Sequence, residues 1–235
     1  MNDEYDLIVL GGGPVGENVA DRAVQGGLTA LIVESELVGG ECSYWACMPS
    51  KALLRSPQVL RAAQNVGGSA EAVTGALDVA AVLRRRDEFT SHWNDDGQVA
   101  WLDSAGIDLV RGHGRLSGER QVTVTTPEGT VRVLTARHAV AISTGSDAAL
   151  PPIPGLSGVG AWTSREATSA KEIPASLVII GGGVVAVEMA TAYASLGSAV
   201  TVLARSGLLG SMEPFAAELV TDGLRDPGVD ARTGA

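Results

Sequence analysis

Tyr5-Asp6-Leu7-Ile8-Val9-Leu10-Gly11-Gly12-Gly13-Pro14-Val15-Gly16 is the stretch that decides the fold. A short run of strand formers leads straight into three glycines, a proline and a fourth glycine, which is the order strand, turn, helix. The spacing predicts a helix over Glu17–Gln25, with Val19, Ala20, Ala23 and Val24 on one face and Gly26-Gly27 ending it. A second strand, Thr29 to Val33, closes on Glu34. This is the dinucleotide fingerprint in the context that gives it meaning. Gly11 makes the turn, Gly13 lets a pyrophosphate approach, and Gly16 lets the helix pack on the strand. Glu34, 21 residues after Gly13, is placed to accept from a ribose hydroxyl.

The pattern returns at a constant offset of 170 residues. Leu177-Val178-Ile179-Ile180 matches Leu7 to Leu10, Gly181-Gly182-Gly183 matches Gly11 to Gly13, Ala186 takes the place of Gly16, and Gly197 matches Gly27. Two dinucleotide sites are therefore expected, in an α/β protein of two Rossmann-like three-layer units, the second incomplete. Pro151-Pro152-Ile153-Pro154-Gly155, too proline-rich for a helix or central strand, divides residues 1–150 from 151–235. The residue matching Glu34 is Ala204, followed by Arg205. An acid at that point receives a ribose diol, whereas a neutral residue beside arginine suits a 2′-phosphate. The second site is accordingly expected to take NADPH rather than NADH.

Between the repeats, residues 51–110 read mainly as helix, with Trp93 and Trp101 as core residues in a helical run from Ala80 to Trp101. Then the period shortens. Strands are expected at Asp108–Val110, Gln121–Thr125 and Val131–Leu134, with a turn at Pro127-Glu128-Gly129, and a separate buried strand at His138–Ile142.

A hydrophobic share of 45% supports a packed core, and no apolar run approaches the ~20 residues that span a bilayer. A formal charge of −10 argues against nucleic acid, which needs clustered positive charge. The basic run Arg84-Arg85-Arg86 reads as a solvated helix face.

Gly39-Gly40-Glu41-Cys42-Ser43-Tyr44-Trp45-Ala46-Cys47-Met48-Pro49-Ser50-Lys51 holds both cysteines of the chain. On a regular helix a spacing of five turns the second side chain roughly 140° from the first, so Cys42 and Cys47 can bond only across a distorted turn. Pro49 favours distortion, because it lacks an N–H and moves Met48 away from the α region. A disulfide held off ideal geometry is more easily reduced. Three plainer readings stand beside a redox pair. A structural disulfide needs an oxidising compartment, and Met1 to Asp6 show no export signal. Two thiolates without a nearby histidine are too few to close a metal site, so no metal is expected. Two unconnected buried thiols are the remaining reading.

The segment resembles the hallmark of the FAD-dependent pyridine nucleotide-disulfide oxidoreductases, the family of dihydrolipoamide dehydrogenase, glutathione reductase and mercuric reductase. That hallmark is a glycine pair, an acid or threonine, cysteine, four residues, cysteine, one residue, then Pro-Ser-Lys. Tyr44 departs from the usual asparagine and Ala46 from the usual glycine. The resemblance runs along all 235 residues. It implies FAD at the first site, with Gly114 of Arg111-Gly112-His113-Gly114 beside the adenine and Thr144-Gly145-Ser146 closing the site. It implies hydride passing from NADPH (or NADH) to FAD and on to a Cys42–Cys47 disulfide, with Cys47 facing the flavin and Cys42 attacking the substrate. Glu188 would pair with Lys51 near the flavin N5. Lipoamide, another small disulfide, Hg(II) and quinones all stay open as substrates. The alternatives are a quinone or oxygen reductase with idle cysteines, and a non-catalytic nucleotide-binding fragment. Family members continue for roughly as many residues again, including a dimerisation domain that lends a catalytic histidine to its partner. None of His92, His113 and His138 lies in a segment like that one. The chain is thus expected to be the N-terminal portion of a cytoplasmic homodimer, apart from membranes and nucleic acid.

Overall fold

The computed structural model describes residues 2–234. In chain order its elements are β1 (Glu4–Leu10), α1 (Pro14–Gln25), β2 (Ala30–Glu34), α2 (Gly40–Tyr44), α3 (Cys47–Gln64), α4 (Val79–Phe89), α5 (Asp96–Ser104), β3 (Asp108–Arg111), β4 (His113–Gly118), β5 (Gln121–Thr125), β6 (Val131–Ile142), α6 (Ser164–Ser169), β7 (Ser176–Ile180), α7 (Val184–Ser195), β8 (Ala199–Ala204), α8 (Pro214–Gly223) and β9 (Asp230–Thr233). They pack as two units. The first holds residues 1–44 and 90–149, the second 45–89 and 150–235.

The first unit is built on one sheet of order β3-β2-β1-β6-β5-β4. Strands β3, β2, β1 and β6 run parallel, and β6, β5 and β4 form an antiparallel meander. One face carries Val9, Ala30 and Ile32 against Ala20 of α1 and Leu102 of α5. The other packs Ile8, Leu10, Leu31 and Val33 against Val122, Val124 and Leu134 of the meander. The layers are thus helix, parallel sheet and antiparallel sheet. Alternation of inward side chains along β5, where Val122 and Val124 are buried and Gln121 and Thr125 exposed, is what lets a two-sided strand serve there.

Three local expectations are corrected. Helix α1 starts at Pro14 rather than Glu17, because proline at the first helical position loses no hydrogen bond and has its φ preset. The strands expected at Val131–Leu134 and His138–Ile142 are one 12-residue strand, β6. Its first half pairs with β5 and its second with β1, and its end is exposed rather than buried, Ile142 at 64%. The helical run from Ala80 to Trp101 is broken at Ser91, His92 and Trp93, all three at positive φ (48°, 54° and 57°). Trp101 lies near the surface, and Trp93 is half-buried with a polar task described below.

The second unit repeats the opening of the first. Its sheet, β7-β8-β9, is parallel throughout. Met189, Ala190 and Tyr193 of α7 bury one face with Val200 and Val202, while Val178 and Ile180 on the opposite face stand exposed. The repeat extends to single backbone bonds. Gly11 N–H donates to Val33 O (2.9 Å) as Gly181 N–H does to Leu203 O (2.8 Å), and Gly39 N–H donates to Gly12 O (2.7 Å) as Leu209 N–H does to Gly182 O (2.7 Å). Helices α3 and α4 join this unit through Leu53 and Val82, which pack with Ala192 and Leu196 of α7. Arg86 corrects the solvated reading of the basic run. It is wholly buried, whereas Arg84 is exposed and Arg85 stacks on Phe89, 4.3 Å from its ring centre.

Candidate active site

In the first unit, β1 delivers Gly11 to Gly13 at the end of the parallel sheet, where the first turn of α1 begins. Gly11 sits at φ 98°, and a side chain there would strike the Ser143 carbonyl just before Thr144. A side chain at Gly16 would strike the carbonyl of Gly11. Both glycines are thus required by close approach of backbone, and Thr144 is brought beside the turn. No side chain caps α1, whose N-cap is Gly13, nor α7, whose N-cap is Gly183. By contrast α6 has a complete capping box, Thr163 with Glu166. Uncapped amides at a glycine turn are what a pyrophosphate binds, so these residues fit the group.

Glu34 ends β2 nearly buried, and it accepts from the Gly12 N–H (2.6 Å) and the Glu36 N–H (2.7 Å). Gly114 lies in β4, where a side chain would press on Leu10 and Val33, so its lack of one lets the meander close on the parallel sheet. The cysteine segment reaches the same turn. Gly39 and Gly40 both take positive φ, and a Cβ on Gly40 would come within 2.8 Å of the Gly13 Cα. That contact places α2, with Cys42, against the first turn of α1.

Cys42 and Cys47 are disulfide-bonded. Cys42 is half-buried in α2, and Cys47, the first residue of α3, is exposed. Sequence reasoning missed the groups that hold α2. Trp93 donates its indole N–H to the Tyr44 carbonyl (3.1 Å), and Tyr44 donates its hydroxyl to Val38 O (3.0 Å). Asp95 accepts from the Val38 N–H (2.7 Å) and from Arg111, which also donates to Glu36 O (2.5 Å). Burial, then the charges of Asp95 and Glu17, push the Tyr44 phenol up to about 12, so it remains a donor. Burial also raises the Glu17 carboxyl, one of whose oxygens is buried without a hydrogen-bond partner. These links span up to 75 residues and carry no motif.

In the second unit Lys51 of α3 meets Glu188 of α7 at 2.6 Å, which makes them an ion pair. Gly181 takes φ 125° and Ala186 stands half-buried in α7. Ala204 ends β8 buried, where a Cβ on Gly182 would lie 3.2 Å from it, and Arg205 is exposed just beyond. Among the described residues no cluster of three metal-ligating side chains occurs, and no helix is long and apolar enough to cross a membrane.

Comparison with known proteins agrees with this geometry. The chain is 35% identical over 236 aligned residues to a dihydrolipoyl dehydrogenase of Chlorobaculum tepidum, covering 99% of this chain and 50% of that protein. It is 30% identical to a mercuric reductase of Staphylococcus aureus, with 98% and 42% covered. The Cu(II) complex of the HOCl-induced flavoprotein disulfide reductase RclA from Escherichia coli superposes with a TM-score of 0.83 at 27% identity, over 100% of this chain and 50% of that one. The chain spans about half the length of such relatives. The family model described as pyridine nucleotide-disulphide oxidoreductase matches residues 5–235, and the chain, with its paired glycine turns and its disulfide, belongs to that family.

Proposed function

We propose that this chain supplies the two nucleotide sites and the redox disulfide of an NADPH-dependent flavoprotein disulfide reductase. The observation that carries the reading is the Cys42–Cys47 disulfide next to a glycine turn, with Gly40 seated on Gly13. FAD, when bound, relays two electrons from the reduced coenzyme to the disulfide. Gly11, Gly13 and Gly16 with the uncapped α1 amides would hold its pyrophosphate, Glu34 its ribose, and Thr144 and Gly145 would close the site, with Gly114 near the adenine. Residues 1–150 serve as the FAD domain and 151–235 as the coenzyme domain.

Cys42 is the exchange thiol and Cys47 the residue nearer the flavin. The exposed face of Cys47 suits that role. Reduction gives two thiols. The Cys42 thiolate then attacks a substrate disulfide, one substrate sulfur leaves as a thiol, and Cys47 displaces the second while the protein disulfide re-forms. Lys51, held by Glu188, would supply positive charge to a flavin bound there. Gly181, Gly183 and Ala186 form the coenzyme turn, and Ala204 with Arg205 favours a 2′-phosphate. The substrate is a small disulfide or a related acceptor such as Hg(II), and the working enzyme is a cytoplasmic homodimer.

The test is turnover of the protein carrying these residues, assayed with NADPH against lipoamide, glutathione disulfide and Hg(II). Turnover of lipoamide, glutathione disulfide or Hg(II) that persists undiminished in Cys42→Ser would refute the disulfide route.

A further inference from the structure

We infer that Thr168 is a positioning residue for the redox segment, fastened there by the buried Arg86; the inference rests on the disulfide reading above. Helix α2 stops at Tyr44 and α3 starts at Cys47, so the chain breaks between the two cysteines. A helix break strands carbonyls that no intrahelical amide reaches. The Ala46 carbonyl accepts from the Ser50 N–H at 3.1 Å. The Trp45 carbonyl lies 2.7 Å from the hydroxyl of Thr168, a residue 123 positions away on α6.

A threonine inside a helix ordinarily turns its hydroxyl to the carbonyl one turn back. Here those carbonyls, on Ser164 and Arg165, are farther, at 3.0 and 3.3 Å. The hydroxyl has one proton to give, and its shortest partner lies outside its own helix. Thr168 is 2% exposed, and Arg86 pins it from the other side. The guanidinium donates through Nη1 to the Thr168 carbonyl (2.5 Å), through Nη2 to Ala170 O (2.9 Å) and through Nε to Asp87 (2.7 Å). A buried arginine charge is thereby met by the free carbonyls at the end of α6 and one carboxylate. Helix α6 also takes the Trp45 ring, since the Arg165 guanidinium lies 4.2 Å from its centre.

The residue two positions before Cys47 is therefore gripped by backbone and by ring. Cys47 is presented in one place whether oxidised or reduced, and this raises the effective concentration of the paired thiols. The equilibrium that reports it is exchange with glutathione. Two glutathione thiols give two electrons and two protons to the Cys42–Cys47 disulfide, yielding two cysteine thiols and one glutathione disulfide.

Wild type, Thr168→Val, Thr168→Ser and Arg165→Met would be equilibrated in glutathione buffers and the free cysteines counted by alkylation and mass spectrometry. Thr168→Val should lower the equilibrium constant for forming the disulfide about tenfold, equivalent to ~30 mV, while Thr168→Ser stays near wild type. Arg165→Met, at a partly exposed position that should fold regardless, should shift it the same way by a smaller factor. Equal constants in all four proteins, or a wild-type constant in Arg165→Met should Thr168→Val not fold, overturn the inference and leave the disulfide reading intact. A wild-type pair that no glutathione ratio reduces and reoxidises sinks the disulfide reading, and the inference with it.

Discussion

Lys51 and Glu188 lie 137 residues apart in sequence, on helices that belong to different motifs, and their charged atoms meet at 2.6 Å. The lysine side chain is 62% exposed, so the pair resembles surface ion pairs worth about 0–1 kcal/mol of stability. On the proposed function its value lies in where the charge is held. Lys51→Met and Glu188→Gln should slow coenzyme-driven reduction by roughly a hundredfold or less, the low end for removing one electrostatic donor, with little change in Tm. Stopped-flow absorbance and thermal melts together check this: an unchanged rate with a lowered Tm would make the pair structural.

Arg205 is expected to select the coenzyme. A charge-assisted bond to a 2′-phosphate is worth about 1.5–3 kcal/mol, so Arg205→Ala should lower kcat/KM for NADPH by about tenfold or more and leave NADH nearly untouched. Steady-state kinetics with both coenzymes decide it, and equal losses would count against the assignment.

The disulfide should add two electrons to the capacity of the flavin. Reductive titration of the flavin-loaded protein is expected to consume about four electrons per flavin, and Cys42→Ser about two. A wild type that stops at two has idle cysteines.

Glu17 should make stability depend on pH. Burial raises its carboxyl above the ordinary carboxylate range, so the folded state holds this proton more tightly than the unfolded chain. Its contribution is complete below about pH 4.3, the unfolded value, and is lost as pH rises through the folded one. Glu17→Gln should therefore raise Tm at pH 8 more than at pH 4. Differential scanning calorimetry at the two pH values tests the sign, and a larger gain at pH 4 would contradict it.

Much of the first unit was legible because local motifs specify it. Gly11 to Gly16 must turn tightly wherever they occur, and alternation along Gln121–Thr125 marks a strand with one buried face. The constant offset between repeats exposed the second unit in the same way. What stayed hidden was fixed by distant partners. Arg86 could not be told from Arg84 and Arg85 in the basic run, because nothing local reveals carbonyls 82 and 84 residues away. The left-handed turn at Ser91–Trp93 was invisible for a like reason: side chains rarely adopt it, each residue at a cost of roughly 1–2 kcal/mol. What accompanies the turn is the bond from Trp93 to the Tyr44 carbonyl. The continuity of β6 depended on two different neighbours, β5 and β1, each taking half of one strand.

The matching tethers Gly39 to Gly12 and Leu209 to Gly182 involve main-chain atoms alone. Any amino acid except proline can supply such an amide, but the turn that carries it is left-handed in both copies, Gly39 at φ 107° and Leu209 at 52°, so backbone conformation and not side-chain chemistry sets the loop's course. On the proposed function, ligand choice falls to the residues at the strand's end, Glu34 in one copy and Ala204 with Arg205 in the other. A duplicated frame of this kind can change its cargo by point mutation while its scaffold stays still, like a socket whose contacts are rewired without recasting the housing.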